Sequence, residues 1–420
     1  MKRVQTLSDR KLVLSAGANT ALHGLTVLSK AALIVFLAAT LVPEDVGRFG
    51  LLTASLSLGM FLLGFDFYAY ATRELVGAQE SAIPGMLRDQ VIFHALAYLL
   101  ILPVGLLLFI GDVIPWRLAG FFYLLLLAEH AAQELQRVLI ALGRSTAAAV
   151  VLLLRGGVWV WVLVAVAIGR VGARTLPTVL TLWILGSLAA VVYGAAKLRH
   201  LQWRAATRRP VDWSWIRAGV KTAAPFLLST LAIRGILAAD RYALAVVAGP
   251  ALVGVYSLYF GAYSAIHGLV EAAVHHVLRP RIVGAYQRSA RREYRFLLRR
   301  YAVWSMVGAI ALGGAAVLLA PIIFGLLPES IYQQHLPAFQ ILVVASWIHV
   351  AGAIPDVVLY CRRADRAIAG SAVLGLVTAI GLNIALVPTL GIRGAALATA
   401  GGFSVLAASK TVLAARAVYQ

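Results

Sequence analysis

Several long stretches without a charged residue constrain the fold of this chain more than any other feature of its sequence. Four of them cover residues 175–196, 242–270, 301–328 and 367–392. A helix needs about 20 apolar residues to cross a bilayer. Apolar residues make up 61% of the 420 residues and charged residues only 13%, whereas a soluble domain carries about 25% charged residues. The sequence therefore predicts an all-α polytopic membrane protein, and it excludes a disordered chain, a disulfide scaffold and a nucleic-acid binder.

Glycine, proline and charge clusters between the apolar stretches divide the chain into twelve predicted transmembrane helices, or spans. Their approximate bounds are 13–41, 49–72, 89–110, 117–142, 146–168, 175–196, 217–248, 251–278, 297–327, 337–361, 367–387 and 394–416. The first span follows a basic N-terminus. It is longer than a signal-peptide core of about 7 to 15 residues and lacks a small-residue cleavage site, so we interpret it as a permanent helix.

The net charge of +20 is a topology signal before it is a binding signal. When both termini are placed in the cytoplasm, most Lys and Arg residues fall on the inner side, with concentrations at 197–217 and 279–300. This distribution follows the positive-inside rule and suits contact with anionic membrane lipids. We therefore expect a multi-pass protein of the bacterial cytoplasmic (inner) membrane with both termini in the cytoplasm.

A short motif occurs twice in the chain. Residues 43–49 (PEDVGRF) and 250–256 (PALVGVY) share Pro, Val, Gly and a final aromatic residue. Six spans return a chain to its starting side, so we predict parallel repeats about a pseudo-two-fold axis along the membrane normal, with a site between the lobes near the midplane. The expected lobes are 1–208, which holds helices 1–6 and the linker, and 209–420, which holds helices 7–12.

Charged side chains at bilayer depth are costly and are functional candidates by default. Lys30, Arg155 and Arg234 fall near the middle of spans one, five and seven. Three cations from three helices could converge on a phosphate. The spans also contain acids, of which Glu129 is the most central, so the cations could instead be paired. Both interpretations stay open from sequence.

Span one carries a polar stripe at helical spacing. Asn19, His23 and Lys30 lie on one face together with Ser15 and Thr26, because residues three or four apart share a helix face. The stripe is typical either of a wall facing a water-filled cavity or of polar contacts between packed helices.

Span eight carries a second stripe of a different kind. Tyr259, Tyr263 and His267 lead to Glu271 at spacings of three and four. Rings beside hydrogen-bonding groups would suit sugar faces and hydroxyls, although tyrosines near a helix end also serve as membrane-interface anchors. Glu129, Asp240 and Glu271 are the acids that we consider for proton coupling.

Signals for enzymatic chemistry are missing from the sequence. Cys361 is the single cysteine and no Cys/His cluster suggests a structural metal, so we expect no metal and no cofactor apart from a coupling H⁺ or Na⁺. No nucleophile–base set or phosphate-binding glycine loop is apparent. The outer loops are short for a membrane glycan polymerase or ligase. We expect a transporter rather than an enzyme.

Junctions between the predicted helices resemble those of a known group of transporters. Residues 387–399 (VPTLGIRGAALAT) resemble the junction of the last two helices in polysaccharide flippases of the multidrug/oligosaccharidyl-lipid/polysaccharide (MOP) exporter superfamily. Residues 249–258 (GPALVGVYSL) are similar to that family's helix seven to eight junction, and 43–50 (PEDVGRFG) to its helix one to two junction. Residues 137–144 (RVLIALGR) resemble the end of its fourth helix. The resemblance runs from one end of the chain to the other.

The resemblance implies two six-helix lobes around a V-shaped central cavity that opens alternately to either side. It implies a flippase that moves a polyprenyl-pyrophosphate-linked oligosaccharide repeat unit across the membrane for O-antigen or exopolysaccharide biosynthesis. A polysaccharide polymerase or co-polymerase is the protein partner that we expect. The alternative is a cation-coupled multidrug exporter of the same superfamily, which Asp240 in span seven keeps open. A membrane glycan polymerase or ligase is the less favoured alternative.

Overall fold

Every regular element of the described chain is helical. A computed structural model describes residues 21–22 and 24–416, with the backbone alone at Ala205. The α-helices are α1 Gly24–Thr40, α2 Pro43–Gly64, α3 Tyr68–Gly77, α4 Ile83–Ile101, α5 Leu107–Ile110, α6 Ala119–Ala141, α7 Ser145–Leu153, α8 Trp159–Gly169, α9 Leu176–Leu198, α10 Trp203–Thr207, α11 Trp213–Val270, α12 His276–Gln287, α13 Arg291–Gly325, α14 Ile331–Gln334, α15 Leu336–Cys361, α16 Asp365–Leu390 and α17 Ile392–Arg416. Three 3₁₀ helices lie at Leu102–Leu106, Trp116–Leu118 and Val171–Ala173, and two π-helical turns at Leu154–Val158 and Glu271–His275. The predicted all-α class is confirmed.

Nine helical segments of the described chain are long and apolar enough to cross a membrane. One of them, Trp213–Gln287, contains two of the predicted spans. The predicted first and fourth spans correspond to α1, which has 17 described residues, and to α6, whose C-terminal half is polar. Large apolar side chains point outwards on these helices, as at Val246, which is 80% exposed, and Leu318, which is 77% exposed. Such surfaces suit a lipid environment.

The repeated motif begins at the same structural position in both copies. Pro43 is the first residue of α2. In α11 the helix is broken at Gly249, whose φ of 79° is open to glycine, and Pro250 starts the helical segment that follows. Proline suits the first position of a helix because the amide hydrogen that it lacks has no partner there. The predicted boundary between spans seven and eight is confirmed at this break.

Contacts along the chain divide it into two units, which differ from the predicted lobes. Unit 1 takes in the described residues up to Lys30 together with Gly59–Ile110 and Pro115–Ala224. Unit 2 takes in Ala31–Leu58, Gly111–Ile114 and the described residues from Pro225 onwards. The division between 1–208 and 209–420 stays a prediction, since it follows the repeat and not the contacts.

Each unit has its own apolar core. In unit 1 the core includes Leu139 of α6, Val151 of α7 and Ala190 of α9, all fully buried. In unit 2 a core forms between α11, α15, α16 and α17 around Ile236 and Phe403. These cores fix the helix faces on which the candidate site residues lie.

The two copies of the repeated motif pack against each other within unit 2. A Cβ atom added to Gly47 would overlap the carbonyl oxygen of Pro250, and one added to Gly254 would overlap the carbonyl oxygen of Pro43. The contact is therefore reciprocal, and each copy needs its glycine for the backbone of the other copy to approach. This arrangement gives the sequence repeat a structural purpose.

Arg88 of α4 binds the basic segment 197–217, which is the predicted linker between the lobes. These contacts lie within unit 1. The guanidinium of Arg88 donates hydrogen bonds to the backbone carbonyls of Ala206, Arg209 and Pro210. Asp89 pairs with Arg88 at 2.6 Å and accepts a hydrogen bond from the backbone N–H of Asp212. The linker is thus bound between Ala206 and Asp212 by one side chain and its acidic neighbour.

Candidate functional site

Glu129 lies at the centre of an ionic network in unit 1. Its carboxylate pairs with the guanidinium of Arg155 at 3.0 Å. It also accepts hydrogen bonds from the indole N–H of Trp183 at 3.0 Å and from the hydroxyl of Ser187 at 2.5 Å. We call these four residues the Glu129 network. Both charged side chains are nearly buried, at 6% and 11% exposure, so each neutralises the other inside the protein.

Lys30 lies beside this network but faces outwards. It is exposed, and its Cε atom lies 3.3 Å from the position that a Cβ of Gly156 would occupy. Gly156 directly follows Arg155 in the π-helical turn Leu154–Val158. The structure therefore brings two of the three predicted cations, Lys30 and Arg155, to one place in unit 1.

Arg234 belongs to unit 2 and lies next to a group of stacked rings. His349 of α15 stacks on Phe403 at 4.2 Å and on His267 at 4.3 Å between ring centroids, and its Nδ1 hydrogen-bonds the hydroxyl of Tyr263 at 2.6 Å. We call these four residues the His349 cluster. Arg234 is exposed and is close enough for its charge to act on Tyr263, His267 and His349.

Asp240 also lies in unit 2 and is completely buried. Its carboxylate accepts hydrogen bonds from the hydroxyls of Tyr256 and Thr399 and from the backbone N–H of Arg241. The guanidinium of Arg241 lies over the ring of Phe260 at 3.9 Å. These contacts join α11 to α17, as structural interactions do. A coupling role for Asp240 stays a prediction.

Glu271 is the most accessible of the three acids predicted for coupling. Its side chain is 47% exposed and its carboxylate lies 3.8 Å from the nearest nitrogens of His267 and His276. It opens the second π-helical turn, Glu271–His275. Turns of this kind are rare and frequent at functional sites, and both of those in the described chain contain a predicted site residue.

One described residue of the predicted site, Tyr259, is not brought to these groups. Tyr259 is fully buried, donates a hydrogen bond to the backbone carbonyl of Tyr332 at 2.6 Å and packs on Phe324 and Phe339. Its contacts are those of a packing residue. Asn19 and His23 lie outside the described residues.

Several partners in these groups carry no signal that sequence reasoning could use. Trp183 and Ser187 of α9 bind Glu129, yet they lie in an uncharged stretch and look like lipid-facing or packing residues. His349 is a single histidine in an apolar helix. Only the geometry of the fold shows that these residues face a charged or aromatic group.

Solved structures of membrane transporters share this fold. The inward-facing conformation of a multidrug resistance MATE family transporter of the MOP superfamily matches with a TM-score of 0.76 at 15% identity, over 95% of this chain and 94% of that chain. An outward-facing conformation of a multidrug resistance MATE family transporter of the superfamily matches with a TM-score of 0.64 at 16% identity, over 96% and 94%. At these identities the likeness shows the fold alone.

A third solved structure shares this fold, and its binding pocket is the feature that its description singles out. It is a MOP superfamily transporter from Pyrococcus furiosus whose binding pocket of reversed polarity is said to suggest a different function. It matches with a TM-score of 0.60 at 15% identity, over 96% of this chain and 95% of that chain. The predicted MOP-type architecture is thereby confirmed, while the polysaccharide flippase branch is not singled out.

No protein-family model matches the sequence. No curated protein matches it either.

Proposed function

We propose that the protein is a membrane exporter that works by alternating access. The observation that carries this proposal is the fold, which is shared over nearly the whole chain with transporters solved in inward-facing and outward-facing conformations. In the part of the chain that the structure describes, nine segments are long and apolar enough to cross a membrane, and large apolar side chains point outwards. Both features support a location in a membrane.

The charge distribution within each unit favours an anionic substrate. The central acids Glu129 and Asp240 are buried and engaged by several donors, so they present little negative charge to a ligand. Lys30 and Arg234 are cations whose side chains reach the surface of the protein. Lys offers a compact charge and Arg a planar fork of donors, both suited to phosphate oxygens. A polyprenyl-pyrophosphate-linked oligosaccharide, whose lipid tail stays in the bilayer while its headgroup crosses, has this chemistry.

Cation-coupled multidrug export is the second candidate, and the fold comparisons favour it. Two of the matching structures are multidrug resistance transporters. Glu271 would be the coupling residue in this case, because it is half-exposed and lies beside His267 and His276.

Deletion of the gene in its own bacterium separates the two candidates. Loss of a glycan flippase should cause a lipid-linked oligosaccharide to accumulate, which mass spectrometry of extracted lipids detects. Loss of a multidrug exporter should instead lower tolerance to cationic drugs and leave lipid-linked intermediates unchanged. If the deletion strain shows neither of these two changes, both candidates are contradicted.

Variants then test the cations. Lys30→Ala and Arg234→Ala should each abolish complementation of the glycan defect while the protein remains in the membrane. Lys221→Ala is the matched control, because Lys221 is an exposed lysine on α11 outside the predicted site. Glu271→Gln should be the damaging change if the protein exports drugs by proton coupling.

A further inference from the structure

We propose that His94, His130 and Glu134 form a binding site for a divalent transition-metal ion, with Zn²⁺ as the preferred ion, inside unit 1. The three residues each offer one donor atom, and these atoms lie within 4.8 Å of one another. All three side chains are buried. The site is separate from the cations and acids on which the proposed export function depends.

Two helix faces bring the donors together. On α4, Gln90, His94 and Tyr98 follow one another at spacings of four and share one face. On α6, His130 and Glu134 are one turn apart. The two faces meet: the amide N–H of Gln90 donates to Glu134 at 2.9 Å, and the hydroxyl of Tyr98 lies 2.7 Å from Nδ1 of His130.

The imidazoles are held so that one nitrogen of each is available. His130 is fixed through Nδ1 by Tyr98, and its Nε2 has no hydrogen-bond partner in the described chain. Nε2 of His94 also lacks a hydrogen-bond partner there. The residues are only 1% and 6% exposed. Because a buried nitrogen without a partner is costly, two such atoms on rings whose centroids lie 4.9 Å apart favour a ligand that binds them both.

The contact between His130 and Tyr98 resembles the outer shell of known metal sites. A metal-binding histidine usually hydrogen-bonds a neighbour through its second nitrogen, which fixes the orientation of the ring. Glu134 is oriented in the same way, by Gln90 and by the guanidinium of Arg137 at 2.6 Å. Arg137 also lowers the affinity for a cation by its own charge, so we expect a reversible site rather than a permanently occupied one.

Space for an ion exists beside the donors. Gly64, the last residue of α2, lies next to His130: a Cβ there would be 2.9 Å from Nε2 of His130 and 3.7 Å from a carboxylate oxygen of Glu134. A cavity of about 320 Å³ is lined by all three donors and by the apolar side chains of Leu87 and Val138. It leaves a position for a fourth ligand such as water.

The donor set selects the class of ion. Two imidazole nitrogens and one carboxylate oxygen suit Zn²⁺ and its neighbours, not Mg²⁺ or Ca²⁺, which prefer oxygen alone. Bond lengths of about 2.0–2.2 Å require the donors to approach by roughly 1 Å from their present spacing. The cavity beside the donors leaves room for this movement.

The sequence predicts no metal, and that prediction has not been tested. A site of the proposed kind leaves no compact cysteine or histidine motif, because its donors come from two helices and include a carboxylate. Its one trace in the sequence is the stripe Gln90–His94–Tyr98 in the predicted third span.

The test is direct measurement of metal binding to the purified full-length protein carrying no polyhistidine tag. Calorimetric titration with Zn²⁺, and the visible absorption of Co²⁺ as a probe of coordination, should each report one ion per chain. His94→Gln and His130→Gln should weaken binding by at least about tenfold. The matched control is His200→Gln, because His200 is an exposed histidine of unit 1 outside the cluster, and it should bind like the unaltered protein.

Two further variants keep the test decisive if a histidine variant fails to fold. Gly64→Ala should weaken metal binding because its Cβ would lie 2.9 Å from Nε2 of His130, although every donor is retained. Tyr98→Phe should weaken binding by about tenfold because the ring of His130 loses its orienting contact. Absence of stoichiometric metal in the unaltered protein, or equal binding in the unaltered protein and in the folded donor and Gly64 variants, overturns the proposal.

Discussion

Glu129 and His349 occupy matching places in the two halves of the chain but have different surroundings. Each lies fourteen residues before the residue of positive φ that follows its helix, Gly143 at 72° and Arg363 at 56°. Glu129 is surrounded by an arginine and two hydrogen-bond donors. His349 is surrounded by stacked rings and a single tyrosine hydroxyl.

The comparison separates two levels of the repeat. At the level of the backbone the halves correspond, since both motif copies start a helix with proline and each glycine admits the carbonyl of the other copy. At the level of central chemistry they have diverged. One half holds a buried charge pair, and the other holds stacked rings near Arg234. The halves therefore differ in the chemistry around these two residues.

The largest expected effect on stability comes from removing the charge of Glu129 from the Glu129 network. Glu129→Gln keeps a group that can bind Trp183 and Ser187 but leaves Arg155 without its counter-charge. Removing one partner of a buried ion pair costs about 3–5 kcal/mol, so the thermal unfolding midpoint in detergent should fall sharply. The double variant Glu129→Gln/Arg155→Met should recover most of the loss. A double variant as unstable as the single one would show that charge is not the cause.

Substitution of either glycine in the contact between the two motif copies should lower stability by a similar amount. Gly47→Ala and Gly254→Ala each force a methyl group against a proline carbonyl, and overpacking of this kind costs about 1–3 kcal/mol. Gly314→Ala in α13 is the matched control, because nothing lies within 4 Å of the added Cβ. Thermal unfolding of the three variants measures the comparison. A large difference between Gly47→Ala and Gly254→Ala would contradict the structural equivalence of the copies.

Substitutions in the His349 cluster should lower stability less than substitutions in the Glu129 network. His349→Phe keeps the stack with His267 and Phe403 but removes the hydrogen bond to Tyr263, a loss of about 1 kcal/mol. The double variant with Tyr263→Phe should be close to the unaltered protein, since both polar partners are then gone. If His349→Phe were as destabilising as Glu129→Gln, the contrast between the two centres would be wrong.

The smallest expected effect is at the start of the second half, where Asp212 caps α11. Hydrogen bonds from the Ser214 hydroxyl and the Trp215 backbone N–H lower the pKa of this exposed carboxyl. A lowered pKa in the folded state adds stability above the unfolded pKa of about 3.9, and that stability is lost as the pH falls through the folded value. Asp212→Ala should therefore lower the unfolding midpoint slightly at pH 7, and the difference should vanish in acid.

The fold was predictable because membrane crossing leaves a strong mark on sequence. Uncharged stretches gave the helices, and the Gly249–Pro250 pair gave the break between spans seven and eight. The division into units was not predictable, because it depends on which helices touch. Ala31–Leu58 belongs to unit 2, in keeping with the backbone contacts at Gly47 and Gly254. The residue types alone do not predict these contacts.

The sequence predicts which charged residues belong to the candidate site. It does not predict which other side chains contact them. The cost of charge in a membrane singled out Lys30, Arg155 and Glu129. Which of these are engaged depends on Trp183, Ser187 and the π-helical turn, and these are properties of packed helices. The same limit hid His94, because its neighbours in space lie on another helix.

The contacts of Arg88 also restrict the linker. A linker whose backbone carbonyls accept hydrogen bonds from a side chain of α4 cannot act as a flexible tether. Asp89 adds a hydrogen bond from the backbone N–H of Asp212, directly before α11. An insertion or deletion between Ala206 and Pro210 would therefore disrupt the hydrogen bonds of Arg88 as well as change the length of the connection.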